Sequence, residues 1–406
     1  MARQFFSDGE LIDEDHTNPE GAIAHTARAI SEGKTVLFEA AIRWEDTLIR
    51  VDILRKNTEG SWDLLEVKSG TSRGRAKKEY LFDLAVQKYV MQGSGIPLGK
   101  VCLMRLNHTY RRQGPLVLRE LFSTVEMDDV IERELEKVPV YLNDMRQALS
   151  GEEAPTAIIG GVCKQPYPCE FKETCWGELP SDSIHYLAYI DDTVRADLTA
   201  RGFRRIPEIP EGVLTRAESI RHWECETKGE PPPNLRPLKA HLEKLAYPLY
   251  FLDFETFGYA IPRYDRTRPY QQLTFQYSLH VQREADAPIE HYEYLHQSED
   301  DPRRPLATSM ISNLGDKGTI IAYYASFESH RIQELASDFP EFSESLLRLI
   351  PRIWDLEIPF SQRWVVKKAF QGRSSIKLIL PALVPSLSYS GLTIKAGDQA
   401  TQSYHE

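Results

Sequence analysis

Leu48-Ile-Arg-Val-Asp52-Ile-Leu54, followed across a short turn by Trp62-Asp-Leu-Leu-Glu66-Val-Lys68, is the stretch on which the reading of this chain depends. Both runs have the length and apolar patterning of half-buried strands. Asn57-Thr-Glu-Gly-Ser61 between them is turn chemistry, so the pair predicts a hairpin. Strand periodicity puts Glu66 and Lys68 on one face, and pairing of the strands brings Asp52 close to that face. An acid inside an apolar strand is costly to bury alone, so Asp52 wants a cation, a set of hydrogen bonds or a metal.

Working outward, Val36 to Trp44 reads as the preceding strand, with Glu39 expected at its end, and Glu20 to Gly33 as a helix closed by Gly33. His25 is expected as a surface residue of that helix. Lys77 to Met91 carries Leu81, Leu84, Ala85 and Tyr89 at helical spacing, and Lys100 to Leu106 reads as a strand. The order β-β-β-α-β predicts an α/β domain with a mixed sheet. Met127 to Leu149 is helical in pattern, with Pro139 as the expected break or kink. Tyr186 to Gly202 is also helical in pattern, and Thr227 to Pro237, with three consecutive prolines, is the linker candidate. Beyond it lie strand-like Pro248 to Asp253, Leu273 to Val281, Ile289 to Leu295 and Gly318 to Tyr323, with helices near Ala307 and His330. The division expected is a first α/β domain over 1–160, a cysteine loop over 161–180, a helical connector over 181–240 and a second α/β domain over 241–406.

The chain has 406 residues, 41% hydrophobic and 27% charged, a globular composition long enough for two domains. A formal net charge of -11 argues against indiscriminate coating of nucleic acid, while metal-site carboxylates themselves add negative charge. Local basic stretches remain, such as Arg73, Arg75, Lys77 and Lys78 directly after the Glu66–Lys68 strand. No apolar run is long enough to span a bilayer, and the first twenty residues lack a secretory pattern, so a cytoplasmic protein is expected. In that compartment five cysteines do not suggest a disulfide framework.

Phosphodiester hydrolysis needs what Asp52, Glu66 and Lys68 offer. Two carboxylates hold a hard divalent cation such as Mg²⁺ or Mn²⁺, which activates water, and a lysine orients or helps deprotonate that water. Glu39 supplies a third acid, and Gln87 and Tyr89 on the following helix can face the same cleft. The competing reading is a set of structural salt bridges on a half-exposed sheet. A second pair, Asp253 and Glu255 in Tyr250-Phe-Leu-Asp-Phe-Glu-Thr256, aims two acids at one face, a start for a two-metal site. Cys163, Cys169 and Cys175, with five residues between successive members, can serve an iron–sulfur cluster or zinc, both of which take four ligands.

The run Arg50-Val-Asp52, Leu65-Glu-Val-Lys68-Ser and Val86-Gln87-Lys-Tyr89 resembles the RecB-like branch of the PD-(D/E)XK nucleases. That resemblance implies a restriction-endonuclease-type mixed sheet, Asp52 and Glu66 as metal ligands, Lys68 as catalytic lysine, Gln87 with Tyr89 as a helix motif, and Glu39 at a weaker acidic position. It also implies a 4Fe–4S cluster on Cys163, Cys169 and Cys175, completed in the branch by a cysteine upstream of the core. The D-x-E of Asp253 and Glu255, with Glu328 where the family usually has Asp, resembles the DEDD exonucleases of the RNase H-like fold, and Asp355 lies where further acids or helix-start residues occur. The whole order resembles a bacterial family that fuses the two modules. On that pattern the chain is expected to be shortened at both ends. The function implied is a metal-dependent DNA nuclease acting on ends or single strands in repair or defence, with a catalytically impaired nucleic-acid-binding or scaffold protein as the alternative.

Overall fold

The computed structural model describes residues 1–153, 159–394 and 397–405. The chain forms two compact units, Met1–Thr156 with Tyr259–Gln271, and Ala157–Gly258 with Gln272–Glu406. These limits differ from the sequence-based division. The cysteine loop and connector belong with the second unit, and thirteen residues from the β7–β8 connection described below belong with the first.

The first unit is built on a six-stranded sheet of order β1 to β6: Glu10–Leu11, Val36–Trp44, Thr47–Lys56, Trp62–Thr71, Leu98–Leu106 and Phe122–Glu126. β1 and β2, and β4 and β5, pair in parallel; the remaining neighbours are antiparallel, so the sheet is mixed as expected. Parallel pairing of β4 and β5 requires a crossover, and the Lys78–Ser94 helix supplies it. Leu84, Val90 and Met91 on that helix are fully buried with Leu37, Leu54, Leu64 and Leu103 from the sheet. Gly95, at φ +77°, ends the helix in the left-handed conformation that glycine adopts without a Cβ penalty.

Pro139 breaks the Met127–Leu149 pattern as expected, giving helices Asp128–Leu135 and Val138–Ser150. It stands in the first turn of the second helix, where no amide donor is required. Two other expectations are corrected. The linker is shorter than predicted, because the Ala217–Lys228 helix continues through Thr227 and the Leu235–Leu242 helix takes its end. His25 is not a surface residue: its side chain is 14% exposed and bonded to two glutamates.

The second unit carries a five-stranded sheet of order β11-β10-β7-β8-β9. β7 (Leu249–Phe257), β8 (Leu273–Gln282) and β9 (Ile289–Leu295) form an antiparallel meander, while β10 (Thr319–Ala322) and β11 (Ile353–Asp355) run parallel to β7. Tyr250, Leu252 and Phe254 of β7 face a core shared with the helices Arg303–Leu314 and Ser326–Asp338. Among the described residues, no helix is long and apolar enough to cross a membrane.

Lys88, buried on the Lys78–Ser94 helix, places its ammonium 2.9 Å from both Asp128 and Glu132, and Asp128 also accepts from Val101 N at 2.8 Å. Glu132 is solvent-exposed and its share is screened. Lys88→Ala, which leaves Asp128 half-buried beside an empty site, is expected to cost about 2 kcal/mol. Urea unfolding should show this as a lowered midpoint with unchanged slope.

Candidate functional site

Asp52 sits where two ladders are interrupted. The β3–β4 pairing ends at Ile53–Leu65, so the next rung sets Asp52 opposite Glu66. There the Val67 N–H donates not to a backbone carbonyl but to Asp52 Oδ2, at 2.7 Å. On the other side, β2 and β3 pair at Phe38–Ile53 and Ala40–Val51 but not between, because Glu39 adopts φ +58°. A left-handed glutamate within a strand is strained by about 1–3 kcal/mol, and such strain re-aims a side chain. The Glu39 carboxylate meets Arg3 at 2.7 Å.

Glu66 and Lys68 share the face of β4 covered by the Lys78–Ser94 helix. Lys68 Nζ lies 2.7 Å from Glu66 Oε1 and 2.5 Å from Asp83 Oδ2. Gln87 Nε2 donates to Glu66 Oε2 at 2.7 Å and to Asp83 Oδ1 at 3.0 Å. Its own Oε1 is buried with no hydrogen-bond partner among the described residues. Asp83 was not singled out by sequence. The available signal was its i, i+4 spacing from Gln87, which puts both on one helical face. Tyr89, two residues beyond Gln87 and so about 200° around the helix, packs against the main core instead of joining the group.

The electrostatics of this group follow from its inventory. Asp52, Glu66 and Asp83 surround one ammonium, and Glu66 is only 6% exposed. Burial, then repulsion from Asp52 and Asp83, pushes the Glu66 carboxyl up to about 7, despite its ion pair with Lys68. Burial also raises Asp52, reinforced by Glu39, and its carboxyl is close enough to hydrogen-bond Glu66. Burial lowers Lys68, but Asp83 and Glu66 raise it further, so it is a cation at neutral pH. An excess of buried carboxylate over cation is a donor set that a hard divalent ion relieves, so Asp52 and Glu66 fit Mg²⁺ or Mn²⁺. Asp52, Lys68 and Glu39 open onto a cavity of roughly 530 Å³ whose other walls include Phe122, Leu106 and Ile261.

In the second unit Asp253 and Glu255 project from β7 on the face opposite Tyr250, Leu252 and Phe254. Asp253 keeps solvent access there, yet crowding by surrounding protein raises both carboxyls, with Asp253 adding to the effect at Glu255. Glu328, in the first turn of the Ser326–Asp338 helix, is 2% exposed and its Oε2 has no hydrogen-bond partner among the described residues. Burial, with repulsion from Asp253 and Asp355, pushes it up to about 8. An orphaned carboxylate oxygen beside two further acids also fits a divalent cation. Asp355 braces the entry to that helix, accepting from Tyr324 N and Ala325 N at 3.1 Å and from Glu357 N at 2.8 Å. Burial, then the nearby Asp253 carboxylate, raises the hydroxyl of Tyr389, which nothing in the local sequence pattern marked.

The cysteine loop winds around the buried Cys163, whose carbonyl accepts from Cys169 N at 3.1 Å; Cys175 lies on the short Lys172–Gly177 helix. These three thiols fall one short of the four ligands that a 4Fe–4S cluster takes. Burial pushes Cys102 and Cys225 up to about 11, which disfavours the thiolate either would supply. The loop by itself supplies three of the four ligands.

Because the Glu66 pKa in the folded chain exceeds its ordinary 4.5, its protonated form adds stability that is fully present below about pH 4.5 and lost as pH rises through about 7. Glu66→Gln, which is always neutral, should therefore be more stable than wild type at pH 8, by on the order of 2 kcal/mol, and no more stable at pH 4. Chemical denaturation at the two pH values, without divalent ions, checks this. Among known proteins, residues 250–375 match a family described as a domain of unknown function, DUF2779, a span that holds Asp253, Glu255, Glu328 and Asp355. No curated protein matches the chain.

Proposed function

We propose that this chain is a divalent-metal-dependent nuclease that hydrolyses DNA phosphodiester bonds, acting at ends or on single strands. The observation that carries this reading is the convergence of Asp52, Glu66 and Lys68 at the interrupted β3–β4 rung, with Gln87 fixing Glu66. Mg²⁺ or Mn²⁺, held by Asp52 and Glu66, would supply the activated water and neutralise charge on the phosphate. Lys68, held as a cation by Glu66 and Asp83, is suited to stabilise developing negative charge and not to remove a proton. Gln87 keeps one Glu66 oxygen oriented and offers its buried Oε1 as an acceptor. The exposed Arg73, Arg75, Lys77 and Lys78 directly after β4 give a locally basic edge for phosphate contacts within an acidic chain.

The second group supports a second hydrolytic site of the same class. A central β7 carrying Asp253 and Glu255, flanked by antiparallel β8 and parallel β10, suits the RNase H-like reading, with Glu328 as a third acid.

Cleavage of end-labelled single- and double-stranded DNA with Mn²⁺ separates the sites. Glu66→Ala and Lys68→Ala should each lower the rate of the first site by about a hundredfold or more. Asp253→Ala should leave that activity in place and remove only cleavage contributed by the second unit. No cleavage by wild type, or cleavage that none of the three substitutions alters, supports the scaffold alternative instead.

A further inference from the structure

The helix Pro19–Ser31 and the segment after β1 meet at a second constellation, away from the residues assigned above. β1 adds to β2 in parallel, and the chain then turns through Ile12, fully buried and bonded to Phe38 O at 3.0 Å. Arg50 of β3 fixes this turn, donating to Ile12 O at 2.7 Å and Glu14 O at 2.8 Å. The helix is tied to the same sheet through Thr26, whose hydroxyl accepts from Ala41 N at 3.0 Å. Both carriers of the constellation are therefore held in place by the fold.

Between them stands His25. Nδ1 lies 2.9 and 3.0 Å from the two oxygens of Glu14, and Nε2 lies 3.0 Å from Glu10 Oε1. Lys34 holds the other Glu10 oxygen at 2.7 Å. Asp13 completes the group: one ligand atom each from Asp13, Glu14 and His25 lie within 4.8 Å of one another, the one such set of three among the described residues. Among the described residues the Asp13 carboxylate makes no hydrogen bond or ion pair, although a second carboxylate is beside it.

We propose that Asp13, Glu14 and His25 form a binding site for a divalent transition-metal ion of the zinc class, with Glu10 as a positioning residue. One imidazole nitrogen and two carboxylates, with an open side for water, match the ligand types and number of a borderline-soft cation. Glu10 on Nε2 is the supporting carboxylate that such histidines commonly carry; it fixes the ring and leaves Nδ1 facing Glu14. The ion takes the place of the proton between Nδ1 and Glu14. Its effect is structural, fastening the β1 turn to the helix at the edge of β2, the strand that carries Glu39.

Co²⁺ is the probe, added to the full chain carrying Asp52→Asn, Glu66→Gln and Asp253→Asn to weaken the other acidic groups. Equilibrium dialysis and visible absorbance are read together. One equivalent of Co²⁺ should bind with weak visible bands, be lost in His25→Ala, and bind at least tenfold more weakly in Asp13→Asn and about tenfold more weakly in Glu10→Gln. Asp13 is exposed, so its substitution decides the matter even if His25→Ala fails to fold. Absence of binding overturns the site, as does Co²⁺ uptake unchanged by Asp13→Asn or confined to thiolate charge-transfer bands.

Discussion

Lys68 presents one ammonium to a group of buried and half-buried carboxylates that outnumber it. It contacts Glu66 at 2.7 Å and Asp83 at 2.5 Å, while Asp52 rests on the Val67 amide opposite. Each acid comes from a different element: β3, β4 and the crossover helix. Moving any of these elements changes the balance. Two unit charges 4 Å apart at an effective dielectric near 20 interact by about 4 kcal/mol, so unrelieved repulsion among three acids rivals a domain's net stability. The fold answers with protonation, holding Asp52 and Glu66 above their ordinary range, and with Lys68 and Gln87 as donors.

The backbone is arranged around the same need. A regular three-stranded ladder would bury Asp52 between continuous rungs. Instead, the rung to Glu66 gives way to the Val67–Asp52 bond, and the rung to Glu39 is broken by a left-handed residue. The second unit solves a similar problem differently. Among the described residues no lysine pairs with Asp253, Glu255 or Glu328 as Lys68 does with Glu66, and Glu328 keeps a buried oxygen without a hydrogen-bond partner. Internal neutralisation in one unit and an orphaned acceptor in the other both leave room for a cation.

Much of this was legible along the sequence. β2 through β5 and the crossover helix came from periodicity, because each is long, apolar on one side and bounded by turn residues. Asp52 stood out because an acid in an apolar strand needs a reason, Glu66 and Lys68 because strand periodicity puts them on one face, and Gln87 through the helix motif of the resemblance; the fold brings the four together. Asp83 was not, since an exposed-looking aspartate on a helix has no local mark; its role exists only once β4 lies beneath it. Tyr89 was misplaced because motif spacing carries no helical angle until the helix is drawn. His25 was taken for surface because Glu10 and Glu14 reach it through tertiary folding. The grouping of Tyr259–Gln271 with the first unit depends on long-range bonds, such as Arg112 to the carbonyls of Pro262 and Arg263, at 3.0 and 2.6 Å, that no local pattern encodes.

The carboxylate excess around Lys68 is proposed as a divalent-cation site. It is tested by Mn²⁺ binding, followed by paramagnetic resonance, to a chain in which Asp253→Asn and Glu328→Gln weaken the second group and Asp13→Asn weakens the group around His25. Bound Mn²⁺ is expected, with an affinity that falls at least tenfold on Asp52→Asn and again on Glu66→Gln. Mn²⁺ that binds equally well without these two carboxylates, or does not bind at all, would contradict it.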